Sequence, residues 1–191
     1  MSQRLFIGIA LDDAARAAVQ RAIDACNAAH AMPQGLRWLP SDNWHLTLQF
    51  LGHVDDATAA AVRDACAATA RACERFELEL GGSGAFKSAR SARVIWFGVS
   101  RGQERMAALY DALLQHTEPL GFEREARAYT AHLTLARLKQ PLNVEALLPA
   151  LQLAPARMPV SALTLFRSHL SSRGARYEAL ASYALGSGRE R

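Results

Sequence analysis

The tetrapeptide His-Leu-Thr-Leu stands twice in this chain, as His45-Leu46-Thr47-Leu48 and as His132-Leu133-Thr134-Leu135. The chain's own residue frequencies give a second copy by chance only on the order of a few times in a thousand. In an extended strand alternate side chains share a face, so each copy presents an imidazole and a hydroxyl on one side and two leucines on the other. Leucines buried in a core would hold the polar pair on a rigid support. Two strands of this pattern facing each other make an acid/base pair.

The repetition extends beyond the tetrapeptide. The pattern predicts a strand over Arg4–Ala10, a helix capped by Asp12 or Asp13 and running to about His30, and the His45 strand over Asn43–Phe50. A helix from about Asp55 to Cys73 and the alternating strand Phe76–Leu80 follow. The second half gives a strand over Arg93–Val99, a helix from Gln103 to about Leu120 and the strand His132–Leu138, then a helix near Val144–Leu151 and a strand from Val160 to about Phe166. Ile7 lies 38 residues before His45 and Phe97 lies 35 before His132, while Leu78 follows His45 by 33 and Leu163 follows His132 by 31. The order and spacing predict an internal repeat over about 1–86 and 92–170 within one bilobal domain, its two lobes related by an approximate two-fold axis. Gly81-Gly82-Ser83-Gly84 is the expected boundary, since clustered glycines punctuate structure. It lacks the spacing of a phosphate-cradling loop. A closing strand over about 176–185 is expected to return through a turn at Ser171–Gly174, with a frayed tail from Gly186.

Half of the 191 residues are hydrophobic, enough for one substantial core or two small lobes sharing one. A formal charge of +4 is a mild attraction for anions, far short of a protein that coats nucleic acid, and suits a small phosphorylated or short nucleic-acid ligand. No segment has the length needed to span a membrane, and the apolar run Leu5–Leu11 reads as a strand rather than a signal peptide. The three cysteines, Cys26, Cys66 and Cys73, form no CxxC pair and no zinc-like spacing, which fits a reducing cytoplasm.

An imidazole titrates near neutrality, so one histidine can remove a proton while its partner donates one in the same turnover, without a metal or other cofactor. Displacement at phosphorus suits such a pair: water is deprotonated as it attacks, and the departing sugar oxygen is protonated. Thr47 and Thr134 would donate hydrogen bonds to the non-bridging oxygens as charge builds there. Both apparent pKa values, which belong to the coupled pair rather than to either residue, are expected within roughly a unit or two of the free imidazole value near 6.5.

Beyond the two His-x-Thr motifs, the chain resembles the two-histidine phosphoesterases, and within them the RNA 2′,3′-cyclic phosphodiesterases long called 2′-5′ RNA ligases. The resemblance covers nearly the whole length and rests on Arg4–Ile9, Asn43–Gly52, Arg93–Trp96, His132–Arg137 and Leu163–Ser168 leading to Gly174 and Tyr177. It implies an α+β fold of two lobes, with antiparallel sheets lining a central cleft and helices outside. It implies metal-independent opening of an RNA 2′,3′-cyclic phosphate to a 2′-phosphate, with reversible 2′-5′ ligation as a weak companion activity. By that resemblance His45 is the proton donor to the leaving 3′ oxygen and His132 the proton acceptor that activates water. The partners implied are RNA ends, tRNA fragments among them, met by a monomer in the cytoplasm. Ala131 and Ala92 stand where the family commonly has proline. Arg137 is the family's usual arginine after the second motif, yet strict alternation puts it on the face opposite His132, so it reaches a phosphate only if the strand bends.

Of the other histidines, His30, His53 and His116 read as surface residues, and His169 is the one that could touch the cleft. Among the aromatics, Trp44, Phe50, Trp96 and Tyr129 could stack on a base, with Trp96 expected in the core. Two rival functions stay open on the residues: a phosphodiesterase for another small cyclic phosphate, and a non-catalytic module that holds RNA ends.

Overall fold

The computed structural model describes residues 2–171 and 174–186. Its sheet has eight strands: β1 (Gln3–Ala10), β2 (His45–Val54), β3 (Phe76–Phe86), β4 (Ala92–Arg101), β5 (His132–Leu142), β6 (Ala156–Val160), β7 (Ala162–Ser171) and β8 (Gly174–Ala184). Their order is β6-β3-β4-β5-β2-β1-β7-β8, with every adjacent pair antiparallel. At the centre, β2 and β5 share a single ladder pair, Leu46 opposite Leu133. There the sheet divides into two four-stranded lobes.

Three helices cover the apolar face. In α1 (Asp13–Ala29) the buried residues Ala15, Val19, Ala22, Ile23 and Cys26 recur at helical spacing. The Asp12 carboxylate accepts the backbone N–H of Ala15 at 2.8 Å, and Asp55 caps α2 (Asp56–Ala72) by accepting from Thr58 at 2.8 Å. The third helix, α3 (Gln103–Thr117), follows Gly102, whose φ of 89° and close approach to β3 suit glycine alone. Among the described residues no helix is long and apolar enough to cross a membrane. All three cysteines are free thiols; burial pushes that of Cys66 up to about 12.

Each lobe draws strands from both halves of the chain. Strand β3, from the first half, lies between β6 and β4, and β7, from the second, pairs with β1. Three expectations need correction. The helix near Val144–Leu151 is a series of turns ending in a 3-10 turn at Leu148–Ala150, because Pro149 lacks the N–H that a continuing helix needs. Gly81–Gly84 is not a boundary: it runs inside β3, bulged at Gly82 with φ of 70°, and Gly84 lies under the Trp96 ring where a Cβ would come within 2.2 Å. The short strand β6 was not anticipated; it contains Pro159, which an edge position tolerates. Residues 172 and 173 of the expected turn, and the tail after Gly186, lie outside the described residues.

Candidate active site

The central ladder pair aligns the two motifs. With Leu46 opposite Leu133 on the buried side, the antiparallel register sets His45 across from Thr134 and Thr47 across from His132, all four on the open face. The leucines Leu46, Leu48, Leu133 and Leu135 are each at most 4% exposed, so the polar pairs stand on a packed floor.

Backbone carbonyls hold both rings. His45 Nδ1–H donates to the Asn43 carbonyl at 2.8 Å, and His132 Nδ1–H donates to the Thr130 carbonyl at 2.8 Å. A carbonyl can only accept, so in each neutral ring the lone pair sits on Nε2. The Thr47 hydroxyl donates to His45 Nε2 at 3.0 Å. Asn43 is itself buried and fixed by β8: its side-chain amide donates to the Ala175 carbonyl at 2.7 Å and its side-chain oxygen accepts the Tyr177 N–H at 3.2 Å.

Aromatic side chains enclose the rings. His45 lies 4.6 Å from the Phe6 ring, 5.6 Å from Phe166 and 5.0 Å, edge to face, from Tyr177. His132 meets Phe86 at 4.9 Å and Trp96 at 6.3 Å. Burial is the main reason that the His45 pKa falls to about 4; Arg137 and His132 depress it further, against the Asn43 hydrogen bond, which raises it. His132 is also lowered, first by burial and then by Arg137, with the Thr130 bond opposing.

Arg137 shares this face because the strand bends. Opposite β4, Thr134 pairs with Trp96 and Ala136 with Ile95, leaving Leu135 as an extra residue. Leu135 and Ala136 are buried in succession, and Arg137 emerges on the side of His132. The first strand repeats the device: Thr47 pairs with Gly8 and Gln49 with Ile7, Leu48 is extra, and Phe50 emerges where its counterpart carries Arg137.

Two openings flank the histidines. One, of about 380 Å³, is lined by Phe6, Phe50, Arg137 and Tyr177 among others. The other, of about 340 Å³, lies beside Thr47, Phe86, Tyr129 and His132. Tyr129 donates its hydroxyl to the Thr47 carbonyl at 3.1 Å and stacks on Tyr110. Trp96, expected in the core, is half-buried on the wall near His132, whereas Trp44 is core. His30 and His53 are exposed and His116 partly so, while His169 pairs with Glu178 at 2.7 Å. Sequence reasoning missed Asn43, Phe6, Phe86, Phe166 and Tyr177 as parts of the site. No group of three or more His, Cys, Asp or Glu among the described residues could hold a metal ion.

A splayed antiparallel sheet with a matched His-x-Thr on each central strand defines the two-lobed phosphoesterase class. The model of the 2′-5′ RNA ligase superfamily matches residues 11–171, and the chain belongs to that superfamily. An RNA 2′,3′-cyclic phosphodiesterase of Methanothermobacter thermautotrophicus is 32% identical over 93% of this chain and 96% of its own length. One from Aeropyrum pernix is 32% identical over 76% of this chain and 84% of its own. Among solved structures, E. coli LigT complexed with 3′-AMP superposes with a TM-score of 0.76 at 28% identity, covering 97% of this chain and 99% of that one.

Proposed function

We propose that this protein is a metal-independent RNA 2′,3′-cyclic phosphodiesterase that opens the cyclic phosphate at an RNA end to a 2′-phosphate. The observation that carries this reading is the matched pair of imidazoles, each with Nδ1 tied to a carbonyl and Nε2 left to work, on one face beside Arg137. His132 accepts a proton from the attacking water and His45 protonates the departing 3′ oxygen. Thr47 and Thr134 donate to the non-bridging oxygens, and Arg137 neutralises their charge. Thr47 is free to do so once His45 is protonated, because the imidazolium no longer accepts its hydroxyl. A bound phosphate anion favours the imidazolium form of both rings and so opposes the burial that keeps His45 neutral. The names of the relatives support RNA as the substrate. The finer reading is a cytoplasmic monomer acting on RNA ends such as tRNA fragments, from an internally repeated chain, with 2′-5′ ligation as the reverse reaction.

The test is purified protein with an oligoribonucleotide ending in a 2′,3′-cyclic phosphate, in EDTA, with the product phosphate located. The expected result is undiminished turnover giving only the 2′-phosphate. Loss of activity on chelation, or a 3′-phosphate product, would refute the proposal.

A further inference from the structure

We infer that the RNA strand upstream of the cyclic phosphate lies in a trough on the His45 side of the cleft, along β1 and β7, where Arg4 holds its backbone. The inference rests on the proposed function: if His45 protonates the departing 3′ oxygen, in-line displacement sets the ribose on the side of His45 and the attacking water on that of His132. The chain attached to that ribose must leave past the residues around His45.

Those residues form a path. Phe6 of β1 and Phe166 of β7 stack at 4.9 Å beside His45. Two residues along each strand, on the same face, stand Arg4 and Ser168, about 7 Å further out at the rise of a strand. Both line the opening that holds Arg137, and both also line a second opening of about 580 Å³ around the strand ends. Leu170, shared by the two openings and 64% exposed, continues the row on β7.

Two polar groups along this path lack a partner in the protein, and only Arg4 is within reach of a ligand. Arg4 has no hydrogen bond or ion pair among the described residues, and the Ser168 hydroxyl oxygen is shut from solvent without a partner. The carboxylates nearby are Asp56 at the outer opening and Glu178, which His169 engages at 2.7 Å and Arg167 at 3.9 Å. An unpaired guanidinium next to an exposed apolar side chain suits a sugar-phosphate backbone: charge for phosphate and an apolar surface for ribose or base. The opening beside His132 would then serve the attacking nucleophile rather than the body of the RNA.

The experiment compares kcat/KM for a mononucleoside 2′,3′-cyclic phosphate with that for oligoribonucleotides of two to six residues ending in the same group. Wild type is expected to gain at least tenfold by the trinucleotide. Arg4→Gln and Leu170→Asp should remove most of that gain, leave the mononucleotide rate within twofold, and in Arg4→Gln make the salt dependence with the hexamer shallower. Arg101→Gln, on β4 in the other lobe, should change nothing. A wild type indifferent to length would overturn the inference, as would a length gain erased by Arg127→Gln beside His132 but kept in both trough variants. Failure to turn over any substrate would refute the proposed function instead, and binding of labelled hexamer product to wild type and Arg4→Gln would still decide the trough.

Discussion

His45 occupies an apolar ring of Phe6, Phe166 and Tyr177 that makes its charged form costly, and this asymmetry distinguishes it from His132. Both rings are lowered and the reactive state holds one proton between them, so kcat/KM should be bell-shaped with its maximum on the acid side of the free imidazole value of about 6.5, and should fall as rising pH removes the pair's last proton. In kcat both limbs should move alkaline, since the bound anion stabilises imidazolium. A pH series of both constants checks this, and a kcat/KM that climbs steadily to pH 9 would contradict it. Thr47→Val and Thr134→Val, nearly isosteric, should each lower turnover by about tenfold or more with the strands intact by circular dichroism. The sequence shows these four side chains because the proposed chemistry needs particular residue types at a particular spacing. Asn43 and Thr130 are invisible in it as site residues, because their carbonyls act, and any residue carries a carbonyl.

At the scale of elements, alternation predicts the leucine floor and the polar face correctly but misplaces Arg137. A bulge inserts one residue without leaving a mark in the hydrophobic pattern: Leu48 and Leu135 look like ordinary inward positions, and only the paired strand shows that they are extra. The glycines of β3 mislead similarly, since clustered glycine signals a turn equally as well as a strand passing beneath an indole. Arg137 tests the bulge. It is exposed and without a hydrogen bond or ion pair among the described residues, so Arg137→Gln should leave the thermal midpoint unchanged. Its kcat/KM with cyclic phosphate should fall at least tenfold, the scale of one lost charge-assisted hydrogen bond. Steady-state kinetics beside a melting curve read both, and unchanged kinetics would remove Arg137 from the site.

For the whole molecule, the order of strands and helices in each half is legible in spacing, but the crossing of β3 and β7 into the other half's lobe is not, because nothing local in either strand names its partner. The crossing joins the lobes into one sheet, so the cleft should survive only while the entire fold does. Stability carries a trace of the site: as pH falls from 6.5 toward 4 the unfolded chain takes up a proton that folded His45 refuses. Folding should thus lose up to about 3 kcal/mol across that window through this group and nothing through it above 6.5. Urea titrations at pH 7 and 4.5 should show a smaller loss in His45→Gln than in wild type. The central claim is that one imidazole from each lobe acts in a single chemical step. Single-turnover rates on a cyclic-phosphate oligoribonucleotide, for His45→Ala, His132→Ala and the double variant, test it most directly. Each single change should slow the step by at least 10²-fold, with the double variant little worse than the slower single because the pair works as a unit; a near-wild-type rate in either single variant would contradict the account.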